Sequence, residues 1–260
     1  MTLYKKLHLG SQKEKQEVLN KATVKKALEH FSKKPENFLM GNCPFTGEPI
    51  WKTQDEHDDE NPYKGLPHKE YIKALLNVYN NERIIIVEKS RQMIVSTLTC
   101  GYIAWESIFK NGRLWLISKT KEMDAIALMR DKIRGPFSRM PDWLQKECPM
   151  SKTPQNEILC NKSGSRILGV TENVANSSGR GMTASGFFLD EAAFQDSCRD
   201  IWASVMPMAK KLIAVTTPSL LPGGIFLAKK FEDAEGGDLL PEYMNQVRKQ
   251  TKKKRVKAKK

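Results

Sequence analysis

The sequence has few of the features that mark secreted, zinc-binding or membrane proteins. No two of its five cysteines form a C-x-x-C pair, and its four histidines show no metal-ligand spacing. We therefore expect neither a disulfide framework nor a zinc site, and we expect a reducing compartment. No apolar run approaches the roughly 20 residues that cross a bilayer, and the first residues contain no apolar core of a signal peptide.

Acidic residues are absent from the end of the chain. Residues 248–260 contain nine of the 43 lysines and arginines and no aspartate or glutamate. Much of the formal net charge of +13 therefore lies in this tail, and the rest of the chain is only mildly basic. A run of this kind is either a solvated end or a contact with a nucleic-acid backbone, and the sequence favours neither.

Composition divides the 260 residues into four parts, which together are long enough to bury a sizeable core. Apolar residues at helical spacing predict one helix before residue 35, and the turn residues of positions 35–62 predict a loop. The predicted parts are an N-terminal helical and loop extension (1–65), a core of strands and helices (66–220), a small lid-like segment (221–247) and the basic tail (248–260).

The central stretch of the core lacks the glycines of a standard phosphate-binding loop. Residues 84–87 are apolar and β-branched without alternation, which predicts a buried parallel strand covered on both faces. A polar loop and an apolar segment at helical spacing follow, and the N-terminus of a helix after a loop is suited to binding phosphate. Of the pattern G-x-x-x-x-G-K-[ST], however, only Ser96 matches, with Ile94 and Val95 in place of glycine and lysine. An ordinary strand-loop-helix connection would explain these residues equally well.

A second apolar segment ends in two carboxylates, Asp190 and Glu191. Active sites of open α/β sheets lie at the carboxyl ends of the parallel strands. In a nucleotide hydrolase, Asp190 would hold Mg²⁺ opposite the hydroxyl of Ser96, and Glu191 would orient and polarise the attacking water. The alternative is that the pair only caps the next helix.

A third apolar segment, residues 212–215, ends in the hydroxyls of Thr216 and Thr217. At the same edge of a parallel sheet these hydroxyls would hydrogen-bond to the γ-phosphate of a nucleotide. The alternative is that the Thr-Pro step at residues 217–218 only leads the chain out of the sheet.

Taken together, the three strand ends resemble one known family. Lys89 to Thr97 resembles the deviant phosphate loop, or Walker A motif, of the large terminase subunits of tailed bacteriophages, the ATPase motors that package double-stranded DNA into proheads. Residues 180–183 followed by 188–194 look like the Walker B motif of this family with its lead-in. Residues 216–219 are similar to its coupling motif, and the resemblance covers roughly residues 68–230.

The resemblance implies a fold, an activity and partners. The fold would be an α/β P-loop NTPase of the ASCE type, with a central, mostly parallel sheet flanked by helices. The chain would use ATP and Mg²⁺ to move viral double-stranded DNA, acting with a portal protein and a small terminase subunit in the host cell cytoplasm. We expect a ring on the prohead or a monomer in isolation, and no membrane contact. Family members also carry a nuclease domain, which the residues after 220 cannot form, so the chain is expected to be an excised or naturally short motor domain.

The same resemblance implies roles for individual residues. Lys89 would reach the β- and γ-phosphates, and Arg91 would contact phosphate or act as an arginine finger, with Arg180 as a second candidate for that role. Glu191 would activate water, and the metal ligands would be Ser96 and Asp190. The implied nucleotide-binding residues are Lys89, Ser90, Arg91, Gln92, Ser96, Thr97, Thr216 and Thr217.

Two departures from the family pattern leave other functions open. Ile94 stands where the family has glycine, and a β-branched residue disfavours a left-handed backbone. An adenine-contacting glutamine before the first strand is also missing. The alternatives are a helicase-like, nucleic-acid-stimulated ATPase and a catalytically decayed DNA-binding or assembly module.

Overall fold

The structure, a computed structural model, describes residues 12–55, 58–90, 93–151, 154–171 and 183–233, and for residues 12–19 only the backbone. Three predicted site residues, Arg91, Gln92 and Arg180, lie outside this part of the chain, as does the basic tail. Their predicted roles therefore stay predictions. None of the described helices combines the length and the apolar composition that crossing a membrane requires.

The N-terminal region contains more regular structure than its composition predicts. The expected helix is α1 (Gln12–Lys33), but the residues predicted as a loop contain a second helix, α2 (Pro35–Leu39), and the strand β1 (Lys52–Gln54). β1 pairs antiparallel with β2 (Tyr63–Gly65), and helix α3 (Glu70–Asn81) follows. The loop prediction was wrong for α2 and β1, because these short elements are stabilised by tertiary packing that composition does not show.

A six-stranded sheet forms the centre of the molecule. The strands are β3 (Ile84–Glu88), β4 (Leu114–Lys119), β5 (Glu157–Cys160), β6 (Ser165–Thr171), β7 (Gly186–Asp190) and β8 (Leu212–Thr216). Their order is β3-β8-β7-β4-β6-β5, and every neighbouring pair is parallel except β5 with β6. This confirms the predicted α/β fold with a mostly parallel sheet.

Helices cover both faces of this sheet, and each face has its own apolar core. The helices are α4 (Val95–Phe109), α5 (Glu122–Met129), α6 (Gly135–Ser138), α7 (Asp142–Glu147), α8 (Cys198–Val205) and α9 (Pro222–Glu232). A π-helical turn lies at Arg130–Arg134 and a 3-10 turn at Ala192–Phe194. The larger core joins the sheet to α4 and to the N-terminal region, and the smaller one joins it to α8 and α9.

Helix α4, which begins just after the central loop, is the most buried helix described. Twelve of its fifteen residues are buried, so it packs against the sheet on one side and the N-terminal region on the other. Trp105 of α4 donates its indole N–H to the carbonyl oxygen of Phe31 at 2.8 Å, which ties α1 to α4. The first turn of α4 is packed in the core as well, since Val95 and Leu98 are completely buried.

Strand β3 is less covered than its apolar sequence predicts. Among the described strands, β3 lies at one edge of the sheet, where it pairs with β8. Only Ile85 is fully buried, and 37% of Ile84 is exposed. The prediction of a strand covered on both faces was therefore right only at its centre, because an unbroken apolar run does not distinguish an edge strand from a central one.

Candidate active site

The carboxyl ends of four parallel strands meet at one edge of the sheet. Glu88 of β3 lies in register with Thr216 of β8, and Asp190 of β7 lies in register with Val215 of the same strand. On the other side of β7, Leu189 is in register with Ser118, the residue before the end of β4. The three segment ends predicted from the sequence are therefore neighbours in space, together with a fourth, at Lys119.

Ser96 and Asp190 are joined directly. The Ser96 hydroxyl, in the first turn of α4, donates a hydrogen bond to Oδ1 of Asp190 at 2.7 Å, across 94 positions of sequence. Asp190 is almost completely buried, at 3% exposure, because β7 is buried along its whole length. A hydroxyl and a carboxylate in contact are hard oxygen donors, and Mg²⁺ in phosphate sites uses one or two such protein groups with phosphate oxygens and water. The two residues therefore fit the metal that the sequence predicts.

Glu191 has an unusual backbone. Its φ of 53° and ψ of 41° place it in the left-handed region, and among the described residues it is the one non-glycine with a positive φ. Such a conformation costs on the order of 1 kcal/mol or more and persists where the surrounding structure imposes it. The bend turns the chain from β7 into the 3-10 turn and leaves 62% of the Glu191 side chain exposed. The carboxylate is thus presented to solvent beside the buried Asp190.

Lys119 is the first of two residues of this site that the sequence did not reveal. Its ammonium lies 3.2 Å from Oδ2 of Asp190 and 3.0 Å from Oε2 of Glu191. Burial alone would lower the pKa of Lys119, but the two carboxylates outweigh it and the pKa is raised above its ordinary value. Only 16% of the side chain is exposed, so the lysine is a protonated, largely buried partner of both acids.

Gln195 is a second unpredicted residue, and it joins the ends of β4 and β7. Its amide nitrogen donates to the carbonyl oxygens of Ser118, at 3.2 Å, and Asp190, at 2.9 Å. Its amide oxygen accepts the Ser118 hydroxyl at 3.2 Å. Gln195 is 1% exposed, so these bonds are sheltered from water and hold the backbone of Ser118, next to Lys119, to that of Asp190.

Thr216 uses its hydroxyl inside the protein. The oxygen accepts the backbone N–H of Ala193 at 3.1 Å, and the hydroxyl donates to the carbonyl of Thr217 at 3.0 Å. Thr216 is buried and links β8 to the turn that follows Glu191, whereas Thr217 is only half-buried. Both threonines line an open cavity of about 450 Å³ together with Glu88 and side chains of α9.

The loop after β3 is described at its two ends. The Lys89 N–H donates to the Thr216 carbonyl oxygen at 2.9 Å, while no described residue pairs with the Lys89 ammonium. Ser90 is exposed and Thr97 is buried within α4. Ile94 has a φ of −74°, so this substitution for glycine introduces no left-handed strain. Val95, in the position of the usual lysine, is completely buried.

Comparisons with known proteins place this fold. No protein-family model and no curated protein matches the chain. Among solved structures, the large terminase of bacteriophage HK97 matches 79% of this chain with a TM-score of 0.55 and 10% identity, so the chain resembles that terminase in fold. It spans 42% of the length of the HK97 protein.

Two further terminases give weaker matches. An ATPase-domain variant of the large terminase of Thermus phage P74-26 matches 60% of this chain and 66% of its own, with 15% identity and a TM-score of 0.44. The large terminase of a thermophilic bacteriophage, in complex with ADP, matches 54% of this chain and 34% of its own, with 17% identity and a TM-score of 0.37. These two likenesses are too distant to add to that of the HK97 protein.

Proposed function

We propose that the chain is the ATPase motor of a bacteriophage large terminase, which couples ATP hydrolysis to translocation of viral double-stranded DNA into a prohead. The observation that carries the proposal is the contact between Ser96 and Asp190, with Glu191 beside it. The contact joins the helix after the loop to the strand that ends in two acids. This is the arrangement that phosphoryl transfer requires, because that reaction depends mainly on positioning and charge.

Each residue would have a defined part in hydrolysis. Ser96 and Asp190 would hold Mg²⁺, which when bound supplies charge neutralisation to the phosphates. The ammonium of Lys89, which pairs with no described residue, would contact the phosphates from the start of the loop. Glu191, held in its exposed position by the left-handed bend, would orient and polarise the attacking water. Ser90, Thr97, Thr216 and Thr217, with Arg91, Gln92 and Arg180, complete the proposed nucleotide-contacting set, and Thr216 and Thr217 both line the open cavity.

The partners of the proposed motor follow from the packaging reaction. They are double-stranded DNA, a portal protein and a small terminase subunit, and the work would be done by a ring of copies in the host cytoplasm. The basic run of residues 248–260 supports the DNA contact, since lysines and arginines neutralise phosphates. We also propose the division into an N-terminal extension, an ATPase core at 66–220, a lid-like segment and this tail.

Binding and turnover of magnesium ATP by the parent and by Glu191→Gln test the proposal. We expect the variant to bind the nucleotide as the parent does and to hydrolyse it at least about 100-fold more slowly, which is the usual effect of losing a general base. Glu60→Gln, at an exposed position in the loop before β2, is the matched control and keeps the parent rate. Equal rates for Glu191→Gln and the parent would refute the role of Glu191.

A second function, a nucleotide-binding module without turnover, is favoured by one observation. Val95 occupies the usual lysine position and is completely buried, so no cation reaches the phosphates from that place. Calorimetry with a non-hydrolysable ATP analogue and Mg²⁺ separates the two functions when it is combined with an ATPase assay. Binding with no hydrolysis, in the presence and absence of DNA, would support a nucleotide-binding module and refute the proposed motor function. Turnover that needs DNA but no packaging component would favour a helicase-like enzyme.

A further inference from the structure

Lys119 occupies the place in the site where a positive charge is most needed. It is the last residue of β4, and its ammonium lies between Asp190 and Glu191, 3.2 and 3.0 Å from their nearest oxygens. A carboxylate as buried as Asp190 is costly to keep ionised without a cation nearby. In the protein as it stands, Lys119 is that cation.

The two oxygens of Asp190 have different partners. Oδ1 accepts the Ser96 hydroxyl, and Oδ2 faces the Lys119 ammonium. Ser96 and Asp190 are also the pair that fits Mg²⁺. A divalent ion on Asp190 would therefore lie close to the ammonium, and two positive charges in a partly buried site repel each other strongly. A lysine and a metal would therefore need the same carboxylate.

The backbone around Lys119 is fixed, so any adjustment has to come from its side chain. Ser118, the preceding residue, is paired in register with Leu189 of β7 and is bonded through Gln195 to the Asp190 carbonyl. These contacts keep β4 and β7 together whatever the ammonium does. A four-carbon side chain with rotatable bonds can leave Asp190 and keep its contact with the exposed Glu191.

We propose that Lys119 is a tethered cation that competes with a divalent metal for Asp190, so that the metal site fills only when a nucleotide supplies additional negative charge. The proposal rests on the proposed function in one respect: it takes Asp190 to be a metal ligand. Lys119 is a positioning residue in this scheme. It balances the charge of Asp190 in the metal-free site and releases that carboxylate when magnesium nucleotide binds.

Binding of Mn²⁺ alone to the nucleotide-free protein tests the competition. The free metal is measured by electron paramagnetic resonance on the full chain and on Lys119→Met, which keeps the length and apolar stem of the side chain without its charge. We expect the variant to bind Mn²⁺ about tenfold more tightly than the parent, within the range of typical coupling between two sites. Lys119→Arg keeps the charge and serves as the matched control, with an affinity close to that of the parent.

A second measurement separates competition from a structural role. Adding Mn²⁺ should raise the unfolding temperature of Lys119→Met more than that of the parent, since only the variant has an uncompensated Asp190. The additional change Asp190→Asn should abolish the gain in affinity. If Lys119→Met does not fold, Lys119→Gln replaces it in both measurements.

The outcomes distinguish this proposal from the proposed function. Mn²⁺ binding by Lys119→Met that is equal to or weaker than that of the parent overturns the competition, even if the parent hydrolyses ATP. A gain that survives Asp190→Asn overturns it as well, because the metal would then bind elsewhere. Tighter Mn²⁺ binding in a protein that binds no nucleotide would support the competition and refute the motor function.

Discussion

Two partly buried lysines lie at opposite ends of the central sheet and have opposite environments. At the carboxyl end, Lys119 faces the carboxylates of Asp190 and Glu191, which raise its pKa. At the amino end, Lys211 donates to the carbonyl oxygens of Tyr79 and Glu82 at the end of α3, and burial lowers its pKa. The partners of Lys119 are side-chain carboxylates, whereas the partners of Lys211 are backbone carbonyl groups.

The difference shows at which end of the sheet the partners of a lysine can be replaced. Backbone carbonyls at a helix C-terminus are permanent acceptors, so Lys211 stabilises one arrangement of α3 against β8. Carboxylates can exchange a lysine for a metal ion or another cation, so the pairs of Lys119 are replaceable. The same residue type thus contributes to stability at the amino end of the sheet and to the proposed chemistry at the carboxyl end.

The largest predicted effect is a loss of stability at the carboxyl end of the sheet. Gln195→Leu removes three hydrogen bonds and leaves buried carbonyl groups of Ser118 and Asp190 without that partner. We expect a loss of about 3 kcal/mol in the free energy of unfolding, measured by urea denaturation, because unsatisfied buried polar groups cost about 1–3 kcal/mol each. Gln145→Leu is the control, because it also removes two hydrogen bonds from a glutamine amide to backbone carbonyls, but at a partly exposed position on α7. A loss no greater than that of the control would show that Gln195 does not hold the two strand ends together.

The next prediction concerns the amino end of the sheet, where a substitution should lower stability and leave the candidate active site unchanged. Lys211→Met removes the donor to the two α3 carbonyls, and we expect about 1–2 kcal/mol of destabilisation in urea. Nucleotide and Mn²⁺ affinities should equal those of the parent, since Lys211 lies at the far end of the strands. A changed metal affinity in this variant would contradict the separation of the two ends.

A smaller effect is predicted at Glu191, where stability and activity should change in opposite directions. Glu191→Gly removes the cost of a left-handed non-glycine residue, so we expect the protein to become about 1 kcal/mol more stable while ATP hydrolysis is lost. Thermal unfolding and a phosphate-release assay measure the two effects on one preparation. A destabilised variant would show that the contact of Glu191 with Lys119 outweighs the backbone strain.

The smallest effect concerns pH. Because the pKa of Lys211 is lowered in the folded protein, folding is favoured more when this lysine is neutral, and its contribution is lost as the pH falls through the folded pKa. The stability of the parent relative to Lys211→Met should therefore rise between that pKa and about 10.4, the ordinary lysine value. Denaturation at a series of alkaline pH values measures the difference. A fall over the same window would contradict the direction of the shift.

Much of this site could be predicted because it follows from strand ends. The apolar runs before Asp190 and Thr216 predicted parallel strands, and parallel strands bring their carboxyl ends together, so the contact with Ser96 was expected. Lys119 and Gln195 were missed because their importance is spatial. Lys119 lies in a polar stretch that looks like a helix start, and its one signal was its place at the end of an apolar strand.

Other misses have the same cause. The short elements α2, β1 and β5 have five, three and four residues, which are too few for a clear period, and they depend on packing against larger neighbours. Ile94 has a φ of −74°, so the position that it takes from glycine is not left-handed, and the left-handed residue of the site is Glu191 instead. A sequence pattern indicates which residue types a loop contains, but not which of them takes the unusual backbone conformation.

The position of β8 between β3 and β7 has a mechanical consequence. Thr216 accepts the Lys89 N–H with its carbonyl oxygen and the Ala193 N–H with its hydroxyl oxygen, so one residue is attached both to the loop and to the turn after Glu191. A movement of the loop relative to that turn therefore has to lengthen or break one of these two hydrogen bonds, so Thr216 couples the positions of the two segments.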